Sequence, residues 1–388
     1  MNVLYIGSFP PDFLIKRSGG RVDSLYRDYQ AIINGLRLQE GTNLEVITSP
    51  DIASWPRGPL FVKHENSCSE RLTMVSSLNI TLLKQFWTIV SMAREAGKII
   101  RKSDEKVVVV IPYIVFRHVV TLRLLHALFP KKVVQAVIVP DIFFPTKWHW
   151  KIINRFTEKM ASNFDAFVLY TQKMAQHLGV RKGYYEVIEG FREVPERTPS
   201  PCKEFKIVYA GSLNIMYGVG RLIQAMSLIE DKKVKLHLYG AGTAESLIEE
   251  ACQKDDRIEF HGKVPNAEAV DAIYSASVLI NPRNATDGDF TEYSFPSKDI
   301  EYMATGLPSL LCKLPGMPCE YYGHFIDIGE GSPAEIADAI LKVKSMTQEE
   351  RDAFGEKSRQ FIIERMDCKQ QGFRIVTLFN NVINKKIC

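Results

Sequence analysis

Twice along this chain, short β-branched runs alternate with stretches of helical period, and that repeated alternation leaves few architectures open. In the first half the runs lie at 2–7, 44–48, 106–111, 133–139 and 166–170. Strands separated by helices imply parallel β-α-β units. The segment REVPERTPSPCKEFK, from Arg192 to Lys206, is rich in proline and charge and has no apolar period. It reads as an interdomain linker over 193–205. The alternation then resumes, with strands at 206–210, 234–239, 257–261, 277–281 and 309–311 and helices near 219–228, 243–252 and 267–275. Helices near 349–365 and 369–384 close the chain. The pattern predicts two doubly wound, Rossmann-like α/β domains, 1–192 and 206–368, facing each other across a cleft. Such folds bind ligands at the C-terminal ends of their strands.

Composition agrees with two folded domains. At 388 residues the chain exceeds the size at which a single core usually stops growing, and 46% of its residues are hydrophobic. Seven cysteines are scattered without zinc-knuckle or secreted-domain spacing and read as reduced thiols in a cytoplasmic protein. The apolar start MNVLYIGSFPPDF is short and has no basic residues ahead of it, so it reads as a first strand rather than a signal peptide. No segment has the ~18 uninterrupted apolar residues of a membrane-spanning helix. Charge is divided unevenly: residues 1–200 carry 27 basic against 18 acidic residues, and the remainder 22 against 27. A basic first half suits an anionic partner, such as a phosphorylated acceptor or a membrane surface; nothing in the motifs points to nucleic acid.

The loops decide between enzyme classes, since the architecture alone serves many chemistries. The first strand is followed by Gly7-Ser8-Phe9-Pro10-Pro11, without the glycine spacing of a dinucleotide site, and no P-loop occurs. Gly19 and Gly20 precede a helical stretch, where backbone amides can approach an anion. In the second half, KIVYAGSLNIMYGVGRLIQAM and LHLYGAGTAESLIEEA each read as strand, glycine turn and helix. Gly211, Asn214, Gly240 and Gly242 thereby reach one end of the sheet. The densest stretch, VLINPRNATDGDFTEYSFPSKDIEYMATGLP, opens a helix at Ser294-Phe295-Pro296-Ser297-Lys298. Ser297 or Ser294 is expected to cap that helix and expose amides suited to a diphosphate. Lys298 adds a point charge, and Glu301, one turn on, can accept from ribose hydroxyls.

The order GSLN, YGAG, RIEFHGKV and FTEYSFPSKDIEYMATGLP resembles retaining glycosyltransferases of the GT-B fold, family 4, and in particular bacterial polysaccharide-assembly members. The resemblance implies a nucleoside-diphosphate sugar held by the second domain, with Glu301 on the ribose, the Ser297-Lys298 helix start and the Gly211 turn at the diphosphate, and backbone at Lys263-Val264 on the base. It also implies that Gly19-Gly20 closes over the donor phosphate and that the last helix, about 369–388, returns to the first domain. Three departures from the family pattern stand out. Tyr293 occupies the position of the family's first glutamate, so backbone from Asp289 to Glu292 is the expected substitute. Ser212 and Tyr217 stand where the family has basic residues, which transfers diphosphate neutralisation to Arg283 and Lys298. A histidine of the first domain is replaced by Pro140-Asp141, which makes Asp141 the group expected near the acceptor.

The expected reaction moves a sugar to a glycan or lipid-linked acceptor with retention, and needs no cofactor. Asp287-Gly288-Asp289 can be a solvated turn or a carboxylate pair on a cation; the resemblance favours the turn, and no metal is expected. Two basic aromatic stretches, FFPTKWHWKIINRFTEKM and LLKQFWTIVSMAREAGKIIRK, fit either core helices or a peripheral contact with anionic lipid at the inner face of a membrane. A sugar-nucleotide epimerase and a catalytically weak binding subunit are the rival readings of the same architecture.

Overall fold

The computed structural model describes residues 1–8, 24–50, 52–67, 71–191, 194–200, 204–285, 292–293 and 295–384, without the side chains of residues 24–28 and 82. The chain divides into two compact units, Met1–Arg192 with Asp367–Cys388, and Glu193–Met366.

The first unit runs β1 (Asn2–Gly7), α1 (Ser24–Arg37), β2 (Asn43–Thr48), β3 (Phe61–Val62), β4 (Glu65–Ser67), β5 (Leu72–Met74), β6 (Ser77–Leu78), α2 (Thr81–Lys102), β7 (Val107–Pro112), α3 (Phe116–Leu128), β8 (Val133–Val139), α4 (Trp148–Ala161), β9 (Ala166–Leu169), α5 (Gln172–Leu178) and β10 (Tyr185–Val187). Its main sheet has the order β10-β9-β8-β7-β1-β2-β5-β4, parallel except for the β4–β5 pair. β7 (VVVVIP) and β8 (VVQAVIV) are buried along their whole length. Near-continuous apolar runs are what central parallel strands require, because helices cover both faces. The four short strands between 61 and 78 have no counterpart in the sequence pattern, since two or three residues are too few to display alternation.

The second unit runs β11 (Phe205–Ser212), α6 (Val219–Ser227), β12 (Val234–Ala241), α7 (Glu245–Lys254), β13 (Ile258–Gly262), α8 (Asn266–Tyr274), β14 (Val278–Asn281), α9 (Ser297–Met303), β15 (Ser309–Leu311), β16 (Ile326–Asp327), α10 (Pro333–Ser345) and α11 (Gln348–Met366). All six strands are parallel, in the order β13-β12-β11-β14-β15-β16. Helix α10, which the alternation did not predict, has a capping box: Ser332 accepts from the Glu335 amide while the Glu335 carboxylate takes the Ser332 amide. Residues 194–200 of the expected linker lie against this unit. Arg359 donates to the carbonyls of Arg197 and Pro195, both at 2.8 Å, and the Ser200 amide donates to Tyr274 O.

The last helix, α12 (Cys368–Ile383), belongs to the first unit. It meets α1 backbone to backbone, because Gly372 sits over the Gly35 carbonyl and Gly35 over the Cys368 carbonyl. Arg374 then fastens α12 to the sheet edge, donating to Glu186 Oε1 at 2.5 Å and to Val187 O at 2.8 Å. A methyl group on Gly372 would overlap Gly35 O. Gly372→Ala is therefore expected to destabilise the first unit by about 1–3 kcal/mol, the usual cost of overpacking, which urea unfolding measures.

Candidate functional site

In the second unit the sheet order reverses between β11 and β14, the place where open α/β sheets bind ligands. The two strands register only at Ile207↔Val278 and Val208↔Leu279. Further along β11, the buried hydroxyl of Tyr302 on α9 accepts from the Ala210 amide at 2.9 Å and reaches Ala210 O at 3.3 Å. A side chain thus satisfies backbone groups that a ladder would otherwise pair, and the strand ends are free to part.

Two glycine turns are stitched together beside this opening. Gly211 and Gly240 are register partners, and a Cβ on Gly240, whose φ is +133°, would overlap Gly211 O. Glycine is the residue that permits both the conformation and the approach. Asn214 Oδ1 accepts from the Thr243 amide at 3.1 Å, Thr243 Oγ1 accepts from the Ile215 amide at 3.1 Å, and the Gly242 amide donates to Glu245 Oε1 at 2.8 Å.

Lys298, in the first turn of α9, lays its side chain across Gly211, where any Cβ would collide with Lys298 Cε. Its Nζ lies 3.9 Å from Glu301 Oε2 and 5.5 Å from the Tyr302 ring centre. Arg283, just after β14, places its guanidinium 5.5 Å from the Tyr217 ring centre, while Arg221 donates to the neighbouring Pro282 carbonyl at 2.9 Å. Beneath them Asn281 Nδ2 donates to the buried Asp299 carboxyl at 2.6 Å. Burial raises Asp299 to about 7, against the opposing pull of the Asn281 hydrogen bond and of Arg283 and Lys298. Sequence reasoning passed over Asp299; its place beside Lys298, one position off the solvent-facing side of a short helix, was the available signal.

The residues singled out from the sequence distribute as follows. Gly211, Asn214, Gly240 and Gly242 form the joined turns, Lys298 lies across Gly211, and Glu301 stands beside Lys298. Lys263 and Val264 follow β13, the first exposed and the second half-buried against the core. Tyr293 is half-buried. Phe295 is buried against Tyr321, ring centres 4.9 Å apart, so its side chain anchors the loop from inside. The expected cap is corrected: Pro296 is the N-cap of α9 and Ser297 is its first helical residue, with no side-chain capping bond. Proline suits that position because it has no amide hydrogen to satisfy. Gly19, Gly20, Ser294 and Asp287-Gly288-Asp289 lie outside the described residues.

In the first unit, the strand ends gather a buried polar cluster. Ser8 Oγ lies 2.6 Å from Ser49 Oγ and 2.8 Å from His118 Nε2, and Arg117 Nε donates to it at 3.2 Å. Burial, helped by the charge of Arg117, lowers His118 to about 3, so its imidazole is neutral at physiological pH. No motif announced this cluster, because its members are far apart in the chain. Asp141 is exposed after β8, with one oxygen accepting from the Ile142 amide at 2.9 Å. On α4, Trp148, Trp150, Ile152 and Phe156 are all more than half exposed among the exposed Lys147, Lys151, Arg155 and Lys159. On α2, Phe86 and Val90 are likewise exposed. No helix among the described residues is long and apolar enough to cross a membrane.

Residues 204–345 match the family model described as Glycosyl transferases group 1. No curated protein sequence matches the chain. Among solved structures it is similar to Anabaena HepE in complex with UDP, with a TM-score of 0.69 and 14% identity over 98% of this chain and 100% of that one. Sucrose-phosphate synthase of Thermosynechococcus elongatus is similar at a TM-score of 0.67 and 14% identity, over 99% and 100%. An E. coli trehalose-6-phosphate structure bound with UDP-2-fluoro glucose is similar at 0.67 and 10%, over 99% of each chain. At these identities the likeness is one of fold, and it establishes the α/β architecture with parallel sheets over the full chain.

Because Asp299 keeps its proton in the folded state up to about pH 7, while the unfolded chain releases it near pH ~4, folding binds a proton in that window. Stability therefore falls as pH rises from about 4 to about 7, by at most about 1.4 kcal/mol per pH unit from this group. Asp299→Asn is expected to flatten that part of the stability–pH curve, measured by denaturant unfolding at several pH values.

Proposed function

We propose that the protein is a glycosyltransferase that takes its sugar from a nucleoside-diphosphate donor held in the second unit. The observation that carries this reading is Lys298 lying across the Gly211 turn at the sheet's reversal point, with Glu301 beside it and Arg283 on the adjoining loop. A glycine backbone that accepts close approach, two cations and a carboxylate in one place match the parts of a nucleoside diphosphate: phosphates for the cations, ribose hydroxyls for the carboxylate. The match of residues 204–345 to a glycosyl transferase family model supports the same reading. Similar structures are described with UDP or a UDP-sugar, which makes uridine nucleotides the first donors to test.

In this mechanism an acceptor hydroxyl attacks the anomeric carbon as the bond to the diphosphate breaks. Lys298 and Arg283 stabilise the charge that develops on the leaving phosphate. Retention follows if the departing phosphate oxygen takes the acceptor proton on the face it leaves, a route that needs no protein nucleophile. The buried Asn281–Asp299 pair acts as a positioning element, holding the β14 end against α9 so that Arg283 and Lys298 keep their places. Asp141, exposed at a strand end of the first unit, is proposed for the acceptor, a glycan or lipid-linked sugar, with the buried Ser8–Ser49–His118 cluster as a support for the neighbouring strand ends.

Acceptor delivery from a lipid surface is the second element of the proposal. Apolar side chains on α4 that would be core in an ordinary amphipathic helix are instead exposed and interleaved with lysine and arginine. Aromatic rings at the headgroup level with cations on anionic lipid give this face its chemistry.

UDP or one of its sugar conjugates is expected to raise the melting temperature, and Glu301→Ala to abolish the shift. No shift with any nucleoside diphosphate would remove the donor reading. Lys298→Ala is expected to lower kcat by about 10²–10³-fold, the usual cost of one oxyanion-stabilising donor, with little change in unfolding midpoint. In flotation assays the protein should rise with anionic vesicles at low salt and remain below with neutral ones. The double replacement Trp148→Ser with Phe156→Ser should abolish flotation while leaving nucleotide binding intact.

A further inference from the structure

We propose that His237, Glu259 and His261 form a divalent metal site of the zinc class on the β12–β13 edge of the second unit. The three residues come from adjacent parallel strands. His237 and Glu259 are register partners, and a register shift between Leu238 and Tyr239 leaves His261 as an extra residue opposite the bulge. Parallel partners share a face, and residues two apart on a strand share it as well. The sheet geometry therefore turns all three side chains the same way.

The ligand atoms are spaced for a small tetrahedral ion. His237 Nδ1 lies 3.0 Å from His261 Nε2 and 3.4 Å from Glu259 Oε2, and His261 Nε2 lies 3.8 Å from that same oxygen. Zinc bonds of about 2.0–2.2 Å at tetrahedral angles put neighbouring ligand atoms roughly 3.3–3.5 Å apart. The observed triangle brackets that value, so adjustments of a few tenths of an ångström would suffice. Three protein ligands of the His₂Glu type leave the fourth position for water, on the side where the Glu259 and His261 side chains are 45% and 30% exposed.

The surroundings hold the triad in place. The Tyr239 ring stacks on His261 at 4.2 Å and 4° between planes, and the His237 ring lies 5.2 Å from the His261 ring with 11° between planes, which fixes both imidazoles. Burial lowers the pKa of each ring, so both are neutral and offer lone pairs at physiological pH. Lys206 and Lys235 add positive charge near His237, while Glu268 on α8 adds negative charge near His261. The proton now shared between the two ring nitrogens moves to the outer nitrogen of its own ring when the metal binds, so no net proton is released. The bound ion would clamp the edge strand β13 to β12.

The test is direct metal titration of the full chain after dialysis against a chelator. One equivalent of Co²⁺ should produce the intense visible bands of tetrahedral coordination, displaced by one equivalent of Zn²⁺, and Zn²⁺ should raise the melting temperature. His261→Gln and Glu259→Gln, both at partly exposed positions, should keep the far-UV circular dichroism of the parent. Each should lose at least about 100-fold in Co²⁺ affinity, the upper end of what even an outer-shell partner contributes. Absence of saturable binding, a weak octahedral spectrum, or affinity unchanged in both variants would overturn the proposal. None of these outcomes depends on nucleotide binding or on turnover.

Discussion

The ladder between β11 and β14 registers only at Ile207 and Val208, and the Tyr302 hydroxyl takes over at Ala210. Much of the second unit's chemistry depends on that substitution. A buried amide left unpaired costs about 1–3 kcal/mol, so strands cannot part at their ends unless something else supplies a partner. Tyr302 supplies it from a helix whose first turn also carries Lys298. The group that lets the sheet open and the cation that stands over the opening are therefore positioned by the same seven residues. Asn281 and Asp299 tie that helix back to the end of β14, and Arg221 ties the next residue, Pro282, to α6.

The first unit solves a different problem at its strand ends. Ser8 and Ser49 follow β1 and β2 directly, and His118 and Arg117 come from the start of α3. The Ser8 hydroxyl is the hub there, bonded to Ser49, His118 Nε2 and the half-buried Arg117, which is what makes buried hydroxyls and an imidazole tolerable at the strand ends. The helix α12 completes the unit from the far end of the chain. It does so through glycines, because only the absence of side chains lets α1 and α12 bring their backbones together at Gly35 and Gly372.

Much of the architecture was legible because period and burial are linked: a strand covered on both faces must be apolar throughout, and 107–112 and 133–139 announce themselves that way. Elements of two or three residues, such as those between 61 and 78, carry no period to read. At the candidate site, the residue types were legible and the contacts were not. Lys298 reads as a cation at a helix start, yet Gly211, across which it lies, is 87 positions earlier. The capping expectation failed at Ser297 because proline at the preceding position fits the N-cap backbone without any side-chain bond. Phe295 read as part of a binding loop, and packing against Tyr321 turned it inward.

Sequence alone thus determined the alternation of strands and helices and the glycines and charges delivered to the strand ends, since these follow from local propensity and chain direction. Tertiary structure decided which of those groups meet. Register between neighbouring parallel strands is set by packing on both faces and by the bulge at Leu238/Tyr239, and it alone brings His237 to Glu259 and His261 across 21 and 23 intervening residues. Sheet order, likewise, is a property of long-range pairing. It placed β11 beside β14 and so created the opening that Tyr302, Lys298 and Arg283 surround.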